Sequence, residues 1–499
     1  MDAKRLLSIQ AERGAKAIGM ESMQRSIESE IIECRKFIQD NSEKYRDLEP
    51  QQKRNVIKEL IVTYVMNHTH IVEGYVDEEN RPDTNKLVDR LVEDITDYGI
   101  LTPAILNNNI NEIRSNGKEI KIESEGRIHD LTDKDGNIVA FDSVEQQDII
   151  MRKLLGDVRL TPKDALVNAR TVEGYRIAAV HSSVMSPDPD DPTEQRYHSF
   201  VLRKHKMANM HLAELVKYGS LSDSMARFLK LAPEAGLTTI CAGPTASGKT
   251  TLLNAILKYE KNRVILVQNP SEIDIRIKDS SGRVVNDVLH LEATDKASSS
   301  PNDPTTENIM AHILRLSPTD VCLGELRTNK EMALGMMIMG AGHPMFASLH
   351  AEDSKGVIDR YLRGYMAASN EMRDTALPGL TDLLKLVVIQ KIMKDGTRKV
   401  LQITEVLGVD KDNMSMPLLN DLFIFEPDSA NTTYFTDGRV KDIPGKHKRV
   451  GKLHDETIKK FKLAGIHPNQ YDFMMKDISA DEVETYTGEN IENYGMQLR

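Results

Sequence analysis

Gly243-Pro244-Thr245-Ala246-Ser247-Gly248-Lys249-Thr250 is the stretch that decides how this chain of 499 residues folds. It satisfies the spacing GxxxxGK[ST], in which successive backbone N–H groups converge on phosphate oxygens. Glycine lets the backbone curl that closely. Lys249 places a compact positive charge on the terminal phosphates, and the Thr250 hydroxyl suits Mg2+, a hard ion that demands oxygen ligands. The flanks agree: Leu237 to Ala242 reads as a buried strand entering the loop and Thr250 to Leu257 as a helix leaving it, so the helix N-terminus faces an anion. Short apolar runs alternate with helical patterns from about Ser222 to Glu426, which predicts a parallel sheet covered by helices.

Downstream, Val321-Cys322-Leu323-Gly324-Glu325 is an apolar strand ending in a carboxylate, the arrangement expected of an acid that holds Mg2+ or positions water opposite the loop. Taken alone, an apolar run before an acid is commonplace. His343 and His350 flank another apolar run, Met345 to Leu349. A histidine beside a strand is usually structural, whereas two at the ends of one strand in a nucleotide domain could report the γ-phosphate to moving parts.

Towards the N-terminus, Met23, Ile27, Ile31 and Cys34, then Val56, Ile57, Leu60, Ile61 and Val65, recur mostly at steps of three or four. That spacing predicts two amphipathic helices separated by Pro50. A third helical pattern, Leu87, Leu91, Val92 and Ile95, ends near Gly99 and Pro103. Between Ile110 and His205, short alternating runs punctuated by Gly117, Gly126 and Gly136 predict an α+β domain, with Ser186 to Gln195 as a solvated loop. From Pro427 on, basic residues around Lys446 to Lys452, the helix-like DETIKKFKLAGI and an acidic end read as a tail or small cap. The expected organisation is a helical region 1–84, an α+β domain 85–205, a linker 206–221, a P-loop domain 222–426 and an extension 427–499.

Hydrophobic residues at 40% and charged residues at 28% place the chain among soluble globular proteins. No stretch approaches the roughly 18 to 20 apolar residues of a membrane span, and Met1 to Met20 lacks a continuous signal-peptide core, so an intracellular location is expected. Cys34, Cys241 and Cys322 are too widely separated for a disulfide framework or a CxxC metal knuckle. The net charge of −11 argues against a nucleic-acid motor, since phosphate backbones select basic surfaces.

In order, GPTASGKTT, NPSEI, LRLSPTDVCLGELR and GAGHPMFASLH resemble the Walker A loop, Asp box, Walker B segment and His box of the type II and type IV secretion and pilus ATPases. The segments YGILTPAILNNNINEIRSNG, ALVNARTVEGYRIAAV and FVLRKH extend the resemblance to that family's amino-terminal domain, and it covers roughly residues 85 to 470. ITEVLGV, NDLFIFE and KLAGI are most similar to the tight-adherence (CpaF-type) branch. The resemblance implies an α/β, RecA-like P-loop motor domain with a parallel sheet, working as a hexamer with ATP and Mg2+ against a membrane-embedded platform protein. It makes Gly243 to Thr251 the nucleotide-binding segment, with Lys249 and Thr250 the phosphate and Mg2+ residues. It makes Glu325 the Walker B acid and His343 and His350 the His-box pair. Arg170, Arg176 and Arg203 fall where the family places arginines that reach the nucleotide, and Arg315 and Arg327 flank the Walker B strand.

One segment departs from the family. The Asp box usually carries an acidic pair before its proline, and here that pair is Gln268 and Asn269. An amide can orient water but cannot accept a proton as a carboxylate does. Three readings stay open at this point: Glu272 or Glu325 takes the acid's role, Gln268 positions the attacking water, or the chain binds ATP and hydrolyses it poorly. A scaffold that binds ATP without turnover, or a DNA-translocating ATPase, are the rival functions. A GTPase is disfavoured, since no [NT]KxD guanine-reading segment occurs.

Overall fold

The computed structural model describes residues 25–45, 48–67, 71–77, 81–124, 127–186, 196–204, 210–269, 272–293, 304–410, 413 and 415–477. Expectations for Gly126, for nearly all of the Ser186 to Gln195 loop and for the acidic end lie outside these residues. The chain divides into two units, residues 1–206 and 207–499.

In the first unit, the three-and-four spacing yields helices α1 (Ile27–Asp40), α2 (Pro50–Asn67) and α3 (Thr84–Thr96). Ser26 and Asp83 cap α1 and α3 by accepting the backbone N–H groups of Ser29 and Lys86, which satisfies donors that a helix start leaves orphaned. Pro50 opens α2, where its missing N–H costs nothing. Cys34, Ile38, Ile57, Ile61, Leu91 and Ile95 form one buried cluster, so the helical bundle runs past the boundary expected at residue 84.

A short helix α4 (Thr102–Leu106) leads into an antiparallel sheet of β1 (Ile110–Asn116), β2 (Ile120–Ser124), β3 (Arg127–Asp130), β4 (Leu166–Arg170), β5 (Arg176–Val180) and β6 (Ser199–Arg203). The order is β3-β2-β1-β6-β5-β4. Helix α5 (Val144–Leu155) contributes Ile150 and Leu154 to a core shared with Ile113, Ile177, Phe200 and Leu202. This is the α+β domain the alternating runs predict.

The second unit begins with α6 (Leu212–Lys217) and α7 (Asp223–Glu234). Its first strands are β7 (Thr239–Ala242), β8 (Val264–Gln268), the edge strand β9 (Val288–Glu292), β10 (Asp320–Leu323) and β11 (Met345–Leu349). Between and after them run α8 (Lys249–Leu257), α9 (Thr306–Ile313), α10 (Asn329–Gly340), α11 (Ser354–Ser369) and α12 (Arg373–Leu383). The sheet is completed by β12 (Leu386–Ile392), β13 (Arg398–Val409), β14 (Pro417–Pro427) and, beyond a small hairpin of β15 (Thr433–Tyr434) and β16 (Val440–Asp442), β17 (Gly445–Arg449). Six strands in the order β12-β7-β11-β10-β8-β9 are parallel, and β13, β14 and β17 extend that sheet antiparallel. Strands β7, β8, β10 and β11 are buried along their whole length, because helices cover both faces, and this explains their uninterrupted apolar runs.

Two expected boundaries need correction. Leu212, Leu215, Val216 and Leu221 are buried in the second unit's core, so the stretch assigned as a linker is part of it. The extension after residue 426, read as a tail or small cap, packs on the second unit. Strand β17 pairs with β14, and α13 (Asp455–Leu463) inserts Phe461 beside Phe228 and Tyr471, with ring centroids 6.3 and 5.1 Å away.

Candidate nucleotide site

Aligned strand ends place the site. Register pairs Leu349 with Ala242, Leu323 with Val267 and Leu323 with Ala347, so the ends of β7, β8, β10 and β11 fall within two residues of one another in the sheet. The residues just after those ends meet in a crevice at the carboxyl edge, where open α/β sheets bind ligands.

Strand β7 delivers the chain to Gly243, whose N–H donates to the Leu349 carbonyl at 3.3 Å. A Cβ at Gly243, held at φ +154°, would lie 1.9 Å from the backbone oxygen of Gln390. Gly248, at φ +94°, caps α8 at its N-terminus. Lys249 opens that helix and is only 8% exposed. Its Nζ arches back over the loop to donate to the Pro244 carbonyl at 2.9 Å and lies 3.5 Å from His350 Nδ1. Burial lowers the pKa of its ammonium group, and the charges of Glu325 and Glu272 oppose that shift.

Glu325 faces the loop from the end of β10. His350 Nε2 lies 2.8 Å from its Oε1, and Arg327 Nε donates to its Oε2 at 2.7 Å. Burial, together with the charge of Lys249, lowers the pKa of His350. The imidazole is therefore neutral near pH 7: Nδ1 accepts from Lys249 and Nε2–H donates to Glu325. This chain of contacts ties the phosphate loop to the acid. A cavity of about 310 Å3 opens between them, bounded by Thr250, Gln268, Glu272, Glu325, Arg327 and Thr328.

Gln268, at the end of β8, is only 3% exposed. Its Oε1 accepts the N–H groups of Glu272 and Ile273 at 2.8 and 2.6 Å, while its Nε2 donates to the Ile273 carbonyl at 3.0 Å. Its amide thus shapes the Asp-box loop, a role different from the water-positioning one open in the sequence.

Other expected residues fall elsewhere. His343 sits before β11, with Nδ1 3.3 Å from the Thr319 carbonyl. His350 lies seven residue steps further on, about 23 Å along extended chain, so the two histidines occupy opposite edges of the sheet and His343 does not line the cavity. Arg315 is exposed on the turn preceding β10, again at the far edge. Arg170, Arg176 and Arg203 belong to the first unit. Register places them side by side on β4, β5 and β6, and Arg203 Nε donates to Glu112 Oε2 at 2.7 Å.

The sequence reading missed Gln390 and Arg398. Strand β12 sets the Gln390 carbonyl against Gly243, and Arg398 Nε donates to the Ala246 carbonyl at 3.1 Å. No local signal marks either residue, because their place at the loop depends on β12 pairing with β7 and, for Arg398, on β13 pairing with β12. The residues present fit a Mg-nucleotide: a buried ammonium heads a helix at the loop, and Thr250 and Glu325 line one cavity and offer oxygen ligands.

The pattern of the family described as "Type II/IV secretion system protein" matches residues 94–421. An uncharacterized protein of Methanocaldococcus jannaschii is 27% identical over 321 residues, covering 62% of this chain and 54% of that one. The competence protein ComGA of Bacillus subtilis is 32% identical over 142 residues, covering 28% and 35%. The chain thus spans about half the length of the first curated relative and about a third of the second. Among solved structures, the Legionella pneumophila ATPase DotB is similar at 15% identity and a TM-score of 0.44, over 77% of this chain and 88% of that one. With the family pattern extending over about two thirds of its length, this chain belongs to the type II/IV secretion system protein family.

Proposed function

We propose that the chain hydrolyses ATP to ADP and phosphate as a subunit of a homo-hexameric ring at the cytoplasmic face of the cell membrane. Opening and closing of its domains would pass rigid-body motion to a membrane-embedded platform protein of a pilus or secretion machine. The observation that supports this most is the meeting of the Gly243–Thr250 loop, buried Lys249 and Glu325 at aligned strand ends. In this reading, the loop N–H groups and Lys249 orient the phosphates, and His350 holds Glu325 against them. Arg170, Arg176 and Arg203, from this or a neighbouring copy, stabilise charge on the transferred phosphate. Thr250 and Glu325 would hold Mg2+, which offsets phosphate charge when bound.

The family membership and the name of a relative, a twitching motility protein of Neisseria gonorrhoeae, support the pilus or secretion setting. Among the described residues, no helix is long and apolar enough to cross a membrane, which suits a peripheral subunit. ITEVLGV, NDLFIFE and KLAGI favour the tight-adherence branch. A second reading, an ATP-gated scaffold, is favoured by the amide at position 268. The test is Mg-ATP turnover by the purified chain beside Lys249→Ala, with oligomeric mass measured in the same samples. Turnover in a ring, lost in the variant, supports the motor. Binding without phosphate release would leave the scaffold.

A further inference from the structure

We infer that Glu173 is a positioning residue that fixes Arg170 and Arg176 by locking the tip of their hairpin into the N-terminal helical bundle. This deepens, and rests on, the reading in which those arginines stabilise charge on the transferred phosphate. Loops ordinarily run over a protein surface. The tip that joins β4 to β5, residues 171–175, is buried instead: Thr171, Val172, Glu173 and Tyr175 are 2, 3, 6 and 2% exposed. Gly174, at φ +85°, is the one residue of the turn that faces solvent. The strands themselves are more open, with Leu166, Asn168, Arg170 and Ala178 exposed.

Contacts of two kinds hold the tip. Val172 belongs to the buried cluster of the bundle, with Ile38, Ile57 and Leu91, and its carbonyl accepts from the Tyr45 hydroxyl at 2.9 Å. Glu173 meets Tyr98, just past the end of α3, whose hydroxyl lies 3.0 and 2.9 Å from the two carboxylate oxygens. Tyr98 is 1% exposed and its N–H donates to the Thr102 hydroxyl oxygen at 2.8 Å, so the donor is itself fixed. Lys53 of α2 sets its ammonium group 5.1 Å from the centre of the Tyr175 ring. Apolar packing of Val172 fixes how deep the tip sits. A hydrogen bond has direction, so the contact from Tyr98 fixes the rotation of the tip as well.

A carboxyl group is a costly choice for that position. Burial raises its pKa, and hydrogen bonds from Thr171 and Tyr98 and the charge of Arg35 oppose the shift. A leucine would fill the space without that penalty, and replacing a buried charge by an apolar group is often neutral or stabilising. Stability therefore does not call for Glu173, whereas orientation does.

The strands that leave the tip need that orientation. Register sets Arg170 opposite Arg176 and Arg176 opposite Arg203, so three arginines share one face in neighbouring positions. Like charges directly opposite one another work against strand pairing. Arg203 is held from the β1 side of the row by Glu112, at 2.7 Å. The β4–β5 side is held by the tip. Arg170 and Arg176 each lie three residues from Glu173, about 10 Å of extended chain, and the Thr171 N–H closes the turn between them by donating to the Tyr175 carbonyl at 2.9 Å. With so short an arm, movement of the tip is movement of both arginines.

The experiment uses the full chain and measures kcat and KM for Mg-ATP, the urea midpoint, and amide hydrogen exchange at residues 171–176. It compares wild type with Glu173→Leu, Glu173→Gln, Tyr98→Phe and the pair Arg170→Ala with Arg176→Ala, the last both alone and combined with Glu173→Leu. Glu173→Leu should lower kcat by about 10-fold or more, since a misplacement of about 1 Å can cost about 100-fold, while KM stays within about threefold. Its urea midpoint should be no lower than that of wild type. Glu173→Gln keeps an oxygen for Tyr98 and should hold kcat within about threefold of wild type. Tyr98→Phe removes the donor, and should lower kcat by about threefold or more and speed exchange across the tip. Without the two arginines, Glu173→Leu should change kcat by less than about twofold, because the residue acts through them. Should Glu173→Leu lower the urea midpoint, Tyr98→Phe takes its place in that combination and the same comparison decides. An arginine pair that is needed for turnover, beside a Glu173→Leu variant with wild-type kcat or one whose loss is as large without the arginines, would overturn the assignment alone. Wild-type turnover without the arginines would overturn their catalytic reading together with it, and a wild-type chain that releases no phosphate would overturn the ATPase reading and the assignment alike.

Discussion

Gly243→Ala puts a methyl group into the tightest contact of the phosphate loop. The added Cβ would lie 1.9 Å from the Gln390 carbonyl oxygen and 2.8 Å from Ser247 Oγ. Restoring even a 3.0 Å contact requires a backbone shift of at least 1.1 Å. Gln390 cannot supply it, because β12 is held by β7 on one side and β13 on the other. The loop must yield instead. Overpacking of a tight core typically costs about 1–3 kcal/mol, and a side chain at this positive φ costs about 1–3 kcal/mol more. A loop that relaxes by that distance no longer aims its N–H groups at one point. With tenfold in affinity for every 1.4 kcal/mol, binding of Mg-ATP should weaken by about 30-fold or more. Calorimetric titration with Mg-ATP, beside urea unfolding of both proteins, checks this. Affinity within about threefold of wild type at an unchanged urea midpoint would refute the reasoning.

Asp320, 1% exposed at the start of β10, has its carboxyl pKa raised to about 7 by burial and by the charge of Glu260. The folded state therefore keeps a proton that the unfolded chain gives up near pH 4, and stability falls as pH rises from about 4 through 7. Asp320→Asn should flatten that slope and raise stability at pH 8 by on the order of 2–4 kcal/mol, read from urea unfolding at pH 5 and 8; an unchanged slope would count against it. Phe461→Ala empties a fully buried site beside Phe228, so the second unit should lose about 3–5 kcal/mol by the same measurement. A loss below about 1 kcal/mol would mean that the extension is dispensable to the core.

What could be read early was local. The phosphate loop lies within eight consecutive residues, and its glycines, lysine and threonine have meaning at fixed offsets whatever the rest of the chain does. Helices α1 to α3 were legible because Ile57, Leu60 and Ile61 share a face by spacing alone. The extension beginning at Pro427, open between a tail and a small cap, was hard to place for the opposite reason. Its strand β17 alternates weakly and is rich in lysine, and only its pairing with β14 makes it part of the sheet. Arg398 follows the turn sequence Lys394-Asp395-Gly396-Thr397 and reads as an ordinary hairpin residue; its hydrogen bond spans 152 positions. His343 was placed at the site because motif order says nothing about which end of a strand a residue occupies.

The two edges of the parallel sheet explain why the chemistry collects at one of them. At the amino edge, Glu260 and Asp320 are buried acids of like sign, and each has its carboxyl pKa raised. At the carboxyl edge, Lys249, Glu325 and Arg327 alternate in sign around a neutral His350. Removing charge from water is tolerable there because Glu325 and Arg327 pair at 2.7 Å and Lys249 donates to the Pro244 carbonyl at 2.9 Å. The N-terminus of α8 adds partial positive charge on the same side. An incoming polyanion thus finds donors and a helix end already fixed at that edge, while at the amino edge it would meet two carboxyl groups. The common direction of the parallel strands, which puts every carboxyl end on one side, is what separates these two environments.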